Sequence, residues 1–483
     1  KRSYLYWGRT AYRKSIRDDS GRRRDMLDCR EQKTIEKLSE ELEKAGYTHI
    51  SFQVVHTKSR TTSVRGHKSV KKQDSEDAVY VIEAAHDGKK GKSYWTALPG
   101  AEDLITMLRE NMESLGEKYE EDVDNSENSK EACGEDEKVQ FMWENHETVM
   151  KKLAEAKEEA YQVPNIDLVD YLGYEQYLEE IYVLGPGDKR FMDATGYHSL
   201  RADLKAEKDG QASYARGCCY VSELADDSAK KLACETAKEA RAGLGAEPIA
   251  SGQYPVILKN SVMAELLEAY IPAFYADRIK NERSALAGRE GDKIASANVS
   301  LKEVPDLREG RVCRRIDDEG IPVKEKYLIK EGTFKTKLVN KELAKKLKIE
   351  PTGNGFKQSP KSDVEIGITN VILQSECDLG EKTESSILDL KKKMCHGILV
   401  TDVDGVFAGI NVMTGTFSLI VKGRKIENGQ ETDAFCQVTI AGNFFDMLGQ
   451  IQGIANDYIS TYPDCASVIA PSVYVGELAV SGI

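Results

Sequence analysis

Histidine is scarce in this chain. There are 7 in 483 residues, and none lies between residues 199 and 395. A catalytic zinc site drawing on two or three imidazoles therefore has no such donors over that stretch. No window holds the roughly 18 uninterrupted apolar residues of a membrane-spanning helix. Lys1 to Arg24 are basic but lack the apolar core and small-residue cleavage site of a signal peptide, so the expected compartment is the cytoplasm. The ten cysteines are scattered, without a CxxC pair or zinc-ribbon spacing. The adjacent Cys218–Cys219 and the lone Cys395, Cys436 and Cys465 read as reduced, partly buried thiols. Neither GxSxG nor a Walker loop is present, and Gly185-Pro186-Gly187 lacks the third glycine and helix start of a dinucleotide loop.

What is present is ordinary for a globular protein: 40% apolar and 31% charged residues, in a chain long enough for two or three domains. A net charge of −13 argues against nucleic acid as a partner, because phosphate contacts need a basic face. The exception is the arm over residues 1–30, where Arg9, Arg13, Lys14 and Arg22–Arg24 alternate with Tyr4, Tyr6, Trp7 and Tyr12. It reads as a tail packing on its own domain or on a partner, with anion binding as the other use.

Apolar spacing predicts a helix over Glu31–Ala45, a run of short strands at Ile50–Val55, Ser59–Val64 and Ala78–Ala84, and a helix from Ala101 to Glu113. These make an N-terminal α+β domain over 31–115. Residues 116–140 are Glu, Asp, Asn, Ser and Lys with little to bury, an acidic linker or insertion. A middle α+β region over 141–248 follows, with helices at Phe141–Tyr161 and Ala225–Ala242 and strands near Tyr177–Leu184 and Gly210–Val221. From 249 to 483 the pattern is mostly antiparallel strand: Tyr254–Leu258, Val323–Ile329, Glu365–Leu373, Gly397–Val400, Gly415–Lys422 and Val473–Val480. Helices at Val262–Arg283 and Asn340–Leu347 interrupt it. The expected fold is α+β, ending in a β-rich, barrel-like domain.

Several segments in this last region carry a resemblance. Ser251-Gly252-Gln253-Tyr254-Pro255-Val256-Ile257-Leu258, Asp317-Asp318-Glu319-Gly320, the Tyr327–Phe334 hairpin, Thr352-Gly353-Asn354-Gly355, Thr439-Ile440-Ala441-Gly442-Asn443 and Ala470-Pro471-Ser472-Val473 occur in order. Together they resemble the TldD/PmbA family, also labelled modulators of DNA gyrase. The likeness covers about residues 32–483 and is densest in the C-terminal half. Singly, each segment is more often architecture than site; their succession carries the weight. In TldD-type members the helix after the Tyr-Pro-Val strand bears HExxxH, whose histidines hold zinc with a later cysteine. Here Glu268-Ala269 stands where His-Glu is expected and Ala273 where the second histidine is expected. The isolated pair His146-Glu147 continues to Met150 and so is not HExxH, and His198 and His396 read as surface or satisfied core residues.

The resemblance thus implies a PmbA/TldE-type subunit with no catalytic residue, no metal ligand and no cofactor of its own. Zinc is expected in a TldD-like partner, and the heterodimer would trim unfolded peptides, such as leader peptides of ribosomally made natural products. Strand addition would bind the peptide, and the segments expected to flank the sheet are Gly353–Phe356 (Gly353, Asn354, Gly355, Phe356), Thr439–Asn443 and Ala470–Val473 with Pro471 and Ser472. Two rivals belong to other classes. One is a stand-alone enzyme with a Cys395 nucleophile, marked by thiol-reagent sensitivity and chelator resistance. The other is a non-enzymatic homodimeric scaffold, marked by binding of DNA or gyrase through the basic arm.

Overall fold

The computed structural model describes residues 28–66, 69–115, 117–118, 141–185, 190–221, 223–225, 227–305, 312–375, 385–461 and 466–483. Residues 1–27 of the basic arm, most of the acidic stretch, His67, Pro186-Gly187 and Cys465 lie outside them. Among the described residues no helix is long and apolar enough to cross a membrane.

The chain begins with α1 (Cys29–Lys44), β1 (Thr48–Arg65), β2 (Ser69–His86), β3 (Lys89–Trp95), α2 (Ala101–Leu115) and β4 (Glu117–Lys118). It continues with α3 (His146–Tyr161), β5 (Ile166–Leu184), β6 (Arg190–Lys208), β7 (Gln211–Val221) and α4 (Ser228–Ala242). The strands form one seven-stranded sheet in the order β4-β3-β2-β1-β5-β6-β7, so residues 31–115 and 141–248 share a sheet through the β1–β5 pairing. The short strands expected at Ile50–Val55 and Ser59–Val64 are one strand of 18 residues. No glycine or proline interrupts Thr48–Arg65, and β2 and β5 take up the backbone groups of its polar half. The helix expected from Phe141 starts instead at His146, where the Asn145 side chain caps it by accepting from Thr148 N at 2.9 Å. Phe141 is left free of the helix to stack on His198 at 4.4 Å.

All four helices cover one face of this sheet. Ile35, Leu38 and Leu42 of α1 and Leu104, Leu108 and Met112 of α2 bury Phe52, Val54 and Ile82. Val149, Leu153 and Ala156 of α3 and Leu232, Ala233 and Ala237 of α4 bury Val64, Leu172, Leu200 and Ala202. His198 points into this second core, hydrogen-bonded through Nδ1 to the Tyr174 hydroxyl. Burial pushes its pKa down from 6.5 to about 4. The folded state therefore refuses a proton that the unfolded chain accepts. Stability is full above pH 6.5 and should fall by up to about 3 kcal/mol as pH drops toward 4. Urea midpoints of the wild type and His198→Asn across that window should converge as pH falls. Parallel curves would refute the assignment.

The C-terminal part begins with β8 (Gly252–Leu258), α5 (Asn260–Tyr270), a 3₁₀ turn (Ile271–Phe274), α6 (Ala276–Lys280) and β9 (Val299–Glu303). Next come β10 (Lys326–Lys330), β11 (Thr333–Phe334), α7 (Lys341–Leu347), β12 (Gly355–Lys357), β13 (Val364–Ile366) and β14 (Asn370–Ser375). Then follow α8 (Ile387–Met394), β15 (Gly397–Asp404), α9 (Val406–Gly409), β16 (Ile410–Asn411), β17 (Thr416–Glu427), β18 (Gln430–Asn443) and α10 (Phe444–Gly449). The chain closes with β19 (Gly453–Ile454), β20 (Ile459–Ser460), β21 (Ser467–Ala470) and β22 (Val473–Ser481). Strands β15-β8-β22-β18-β17 run in that order and β17 pairs back onto β15, closing a five-stranded barrel. A six-stranded sheet, β11-β10-β9-β14-β21-β20, packs beside it around a common apolar core. The fold is α+β with a barrel in its C-terminal half, as the sequence pattern indicates.

Two expected elements break. The helix over Val262–Arg283 ends at Tyr270, because Pro272 cannot continue the α-helical hydrogen-bond ladder and turns the chain into 3₁₀ geometry. The strand over Glu365–Leu373 is split into β13 and β14 at Gly367, whose N–H is drawn off to Asn354 O at 2.9 Å.

Candidate functional site

The strand β8 delivers the chain to α5, the helix on which the family resemblance places the metal-binding motif. Lys259 N bonds Val400 O, and Asn260 N donates to Ser472 Oγ at 3.0 Å, so the helix start is tied to both barrel and sheet. Along α5, Glu265 and Glu268 share one face by their three-residue spacing. Glu268 is half-buried, and its carboxylate accepts from Thr461 Oγ1 at 3.5 Å. Ala269 and Ala273 turn their methyl groups into the core, 5% and 0% exposed. The surface of Glu265 is exposed, yet the elements packed around its carboxyl, then Asp402 and Glu268, push it up to about 7 against the pull of Arg216. Asp402 is held by Lys422 at 2.7 Å.

These residues do not fit a catalytic zinc ion. Of the three motif positions only Glu268 has a donor atom, and an alanine methyl cannot ligate. Among the described residues no group of three or more His, Cys, Asp or Glu is gathered as a metal would require. His146, the start of α3, is engaged with Thr62 Oγ1 at 2.7 Å and Asp74 at 3.2 Å, anchoring the helix to β1 and β2. Cys395 and His396 are both exposed just after α8, where Cys395 has φ of 64° and His396 N bonds Met394 O.

The segments expected to accept a peptide by strand addition have their backbones already committed. Thr439, Ile440 and Ala441 lie in a central barrel strand, paired with Ile420, Leu419 and Ser418 on one side and Ser481, Val480 and Ala479 on the other. Gly442 faces Phe417, and Asn443 caps α10 by accepting from Phe445 N at 3.0 Å. Asn354 is buried and bonds Glu303 and Gly367 O. Gly353 sits at φ +71°, where a Cβ would meet Pro322 O at 2.5 Å. Gly355 pairs with Ile366 through β13, while its N–H goes to Asp317 Oδ2 and its carbonyl accepts from Asp318 N. Phe356 is buried beneath the Arg314 guanidinium, 5.2 Å from its ring. Pro471 is buried and Ser472 bonds Asp457 Oδ2 at 2.7 Å. For Thr439–Ala441 and Gly355 the bonds made within the fold occupy backbone groups that an added strand would use.

The helix-free face of the seven-stranded sheet is only partly open, with Ser63 and Ser199 buried and Arg201 exposed. Register across it sets Ser63, Gly173, Arg201 and Cys218 in one row and Thr61, Glu175, Ser199 and Tyr220 in the next. One end of this face is closed by the C-terminal part. Asp193 accepts from Arg315 N and Nε, Thr195 bonds Cys313, and Gln53 meets Asp318 and Lys357. The β7 edge meets the barrel where Lys422 Nζ donates to Tyr214 O at 3.0 Å. Between these closures Tyr177 stacks on Tyr197 at 5.0 Å. Beyond them is a polar depression of about 380 Å³ lined by Arg65, Tyr171, Arg201 and Asp203 among others. Local patterning did not reveal this face, because its residues come from β1, β2, β5, β6 and β7. The alternation of Tyr197, Ser199, Arg201 and Asp203 in β6 was the one available sign.

With that geometry in view, comparison with known proteins identifies the relatives. The model of the PmbA/TldA metallopeptidase C-terminal domain matches residues 251–482. The chain is 28% identical over 264 residues to a metalloprotease PmbA homologue of Buchnera aphidicola, covering 54% of each. It is 25% identical over 281 residues to the metalloprotease PmbA of Escherichia coli O157:H7, covering 58% of each. The chain spans about half the length of the curated relatives it matches. Among solved structures, a Thermotoga maritima protein labelled a modulator of a DNA gyrase superposes with a TM-score of 0.79 at 25% identity, over 93% of this chain and 100% of that one. TldE from Thermococcus kodakarensis gives a TM-score of 0.80 at 21% identity with the same coverage.

Proposed function

We propose that this chain, whose residues 251–482 match the PmbA/TldA metallopeptidase C-terminal domain, is the metal-free, TldE/PmbA-type subunit of a heterodimeric TldD–TldE-like peptidase. In this reading a TldD-like partner holds the zinc and cleaves, and this chain contributes a wall of the chamber in which extended peptides are trimmed. The observation that carries it is the identity and burial of the α5 side chains. At the three positions a zinc helix would need, the chain has one half-buried glutamate and two core alanines. In this reading the helix is structural, and the zinc that activates water for hydrolysis belongs to the partner. The helix-free sheet face supports the chamber role, being broad, hydroxyl- and tyrosine-bearing, and bordered by the barrel.

The test is reconstitution. The pure chain is expected to leave an unfolded peptide intact. With a TldD-type zinc subunit added, cleavage should appear and vanish on chelation. Cleavage by the pure chain, or stoichiometric zinc tightly bound to it, would reject the proposal.

A further inference from the structure

The seven-stranded sheet ends in a long strand with a single neighbour. β7 pairs with β6 alone, so its other edge has no partner strand. Asp209 and Gly210, at φ of 52° and 80°, form the two-residue turn before it, and Lys208 faces Gln211 across that turn. From that pair the ladder alternates, so Gln211, Ser213, Ala215 and Gly217 turn their N–H and C=O groups to β6. Ala212, Tyr214, Arg216 and Cys218 turn theirs to the outer edge. Among the described residues, the one hydrogen bond on these four outward backbones is from Lys422 Nζ to Tyr214 O. Ala212, Tyr214 and Arg216 are exposed. Helix α4 backs the strand closely, since a Cβ on Gly217 would meet Thr236 Oγ1 at 2.3 Å. The strand is thus held from one face while its outer hydrogen-bonding groups stay open, the condition under which an edge templates another strand.

What stands opposite limits what can add there. The Arg216 guanidinium acts on the Glu265 carboxyl of α5, and Lys422 reaches Tyr214 from the barrel. Strand β20 approaches β7 to within 8 Å, less than the roughly 10 Å that a strand between them would need, so it bounds the open stretch. The edge therefore opens on a cleft walled by the C-terminal part. Such a cleft suits one extended chain. The edge of a second folded sheet would bring its covering layers against α5 and the barrel.

We propose that the outer edge of β7 accepts an extended peptide as an added strand, bonded to the main chain of Ala212, Tyr214, Arg216 and Cys218. The identity of that peptide, a chain held in the chamber, rests on the function proposed above. Main-chain bonding suits a ligand of variable sequence, because every residue but proline offers the same N–H and C=O. Lys422 does not use up the Tyr214 carbonyl, which has a second lone pair. Charged side chains beside an edge can instead serve to keep other strands away. A guarded edge of that kind binds no peptide, which separates the two roles by experiment.

The experiment adds a short neutral peptide with blocked ends to the full chain alone and follows binding and amide hydrogen exchange. At saturation the outward Tyr214 and Arg216 amides should exchange about tenfold more slowly, while the inward Ala215 and Gly217 amides, already bonded to β6, stay unchanged. Arg216→Pro removes one outward N–H without touching the bonds to β6 and should weaken binding about tenfold. Arg216→Ala keeps that N–H and should bind within about twofold of the wild type. The peptide N-methylated at every residue has no N–H to donate and should bind at least about tenfold more weakly. Methylated at alternate residues only, it keeps one edge intact and should bind like the parent. No binding by the wild type, binding that leaves these amides unprotected, or binding indifferent to full methylation would overturn the proposal. So would equal losses in Arg216→Ala and Arg216→Pro, which would move the contact to the guanidinium. Protection of the same amides without peptide, in step with dimerisation in sedimentation, would assign the edge to a second copy and likewise overturn it. Circular dichroism verifies that Arg216→Pro is folded, and if it is not, wild-type exchange and the methylated peptides decide. An edge that binds peptide in a chain never supporting cleavage by a TldD-type subunit would keep this site and lose the proposed function. Supported cleavage with no amide of β7 protected would do the reverse.

Discussion

Replacing Asp317 by alanine should shift the urea midpoint of the C-terminal part by the equivalent of about 4 kcal/mol, among the largest effects expected of one surface-remote substitution. Asp317 is fully buried, and its carboxylate accepts from Glu319 N at 3.0 Å, Ile321 N at 2.8 Å and Gly355 N at 2.9 Å. Alanine would leave three N–H groups without a partner, each costing roughly 1–3 kcal/mol where it is buried. Asp317→Asn keeps one acceptor oxygen but sets an amide against a backbone N–H, so it should fall between alanine and wild type. Hydrogen exchange reads the same event locally, with the Gly355 amide losing protection in Asp317→Ala. An unchanged midpoint with an unchanged Gly355 amide would show that water replaces the carboxylate at no cost. Next to it, Asp318 bonds Gln53 and Lys357, so loss of this turn also loosens the seam that closes one end of the sheet face.

The second large effect is expected at Tyr270, the last residue of α5. Its ring is fully buried and stacked on Phe444, with centroids 4.3 Å apart and planes 7° from parallel, and its hydroxyl donates to Thr416 O at 2.6 Å. Tyr270→Ala should cost about 3–5 kcal/mol through the cavity and the lost contacts. Tyr270→Phe keeps the ring and should cost about 1 kcal/mol for the hydroxyl. Denaturant midpoints of the two variants separate these contributions. Comparable losses in both would mean that the hydrogen bond, and not the stack, anchors the helix. Because Tyr270 fixes the end of the helix bearing Glu265 and Glu268, Tyr270→Ala should also impair cleavage by a reconstituted pair, while Tyr270→Phe should not.

Much of the architecture could be read from local pattern. Periodic apolar residues placed α1, α2 and α4 within a few residues. What escaped was set by partners distant in the chain. Strand β6 carries Arg201, Asp203, Lys205 and Lys208, too polar to suggest a strand. It becomes one because β5 and β7 satisfy its backbone and α3 and α4 bury its other face. The ordered motifs of the C-terminal half carried the family resemblance but did not tell central strands from edge strands. A Thr-Ile-Ala-Gly-Asn run looks the same whether its strand is central or exposed.

The sequence by itself determined which side chains α5 has to offer. No fold can turn Ala269 or Ala273 into a metal ligand, because ligation needs a donor atom and residue identity alone decides that. Only the tertiary structure decided where an open surface remains. Backbone groups look alike in every strand, and which of them stay unpaired depends on neighbours tens or hundreds of residues away. The same register that committed Thr439–Ala441 inside the barrel gathered Arg65, Tyr171 and Arg201 around Gly173.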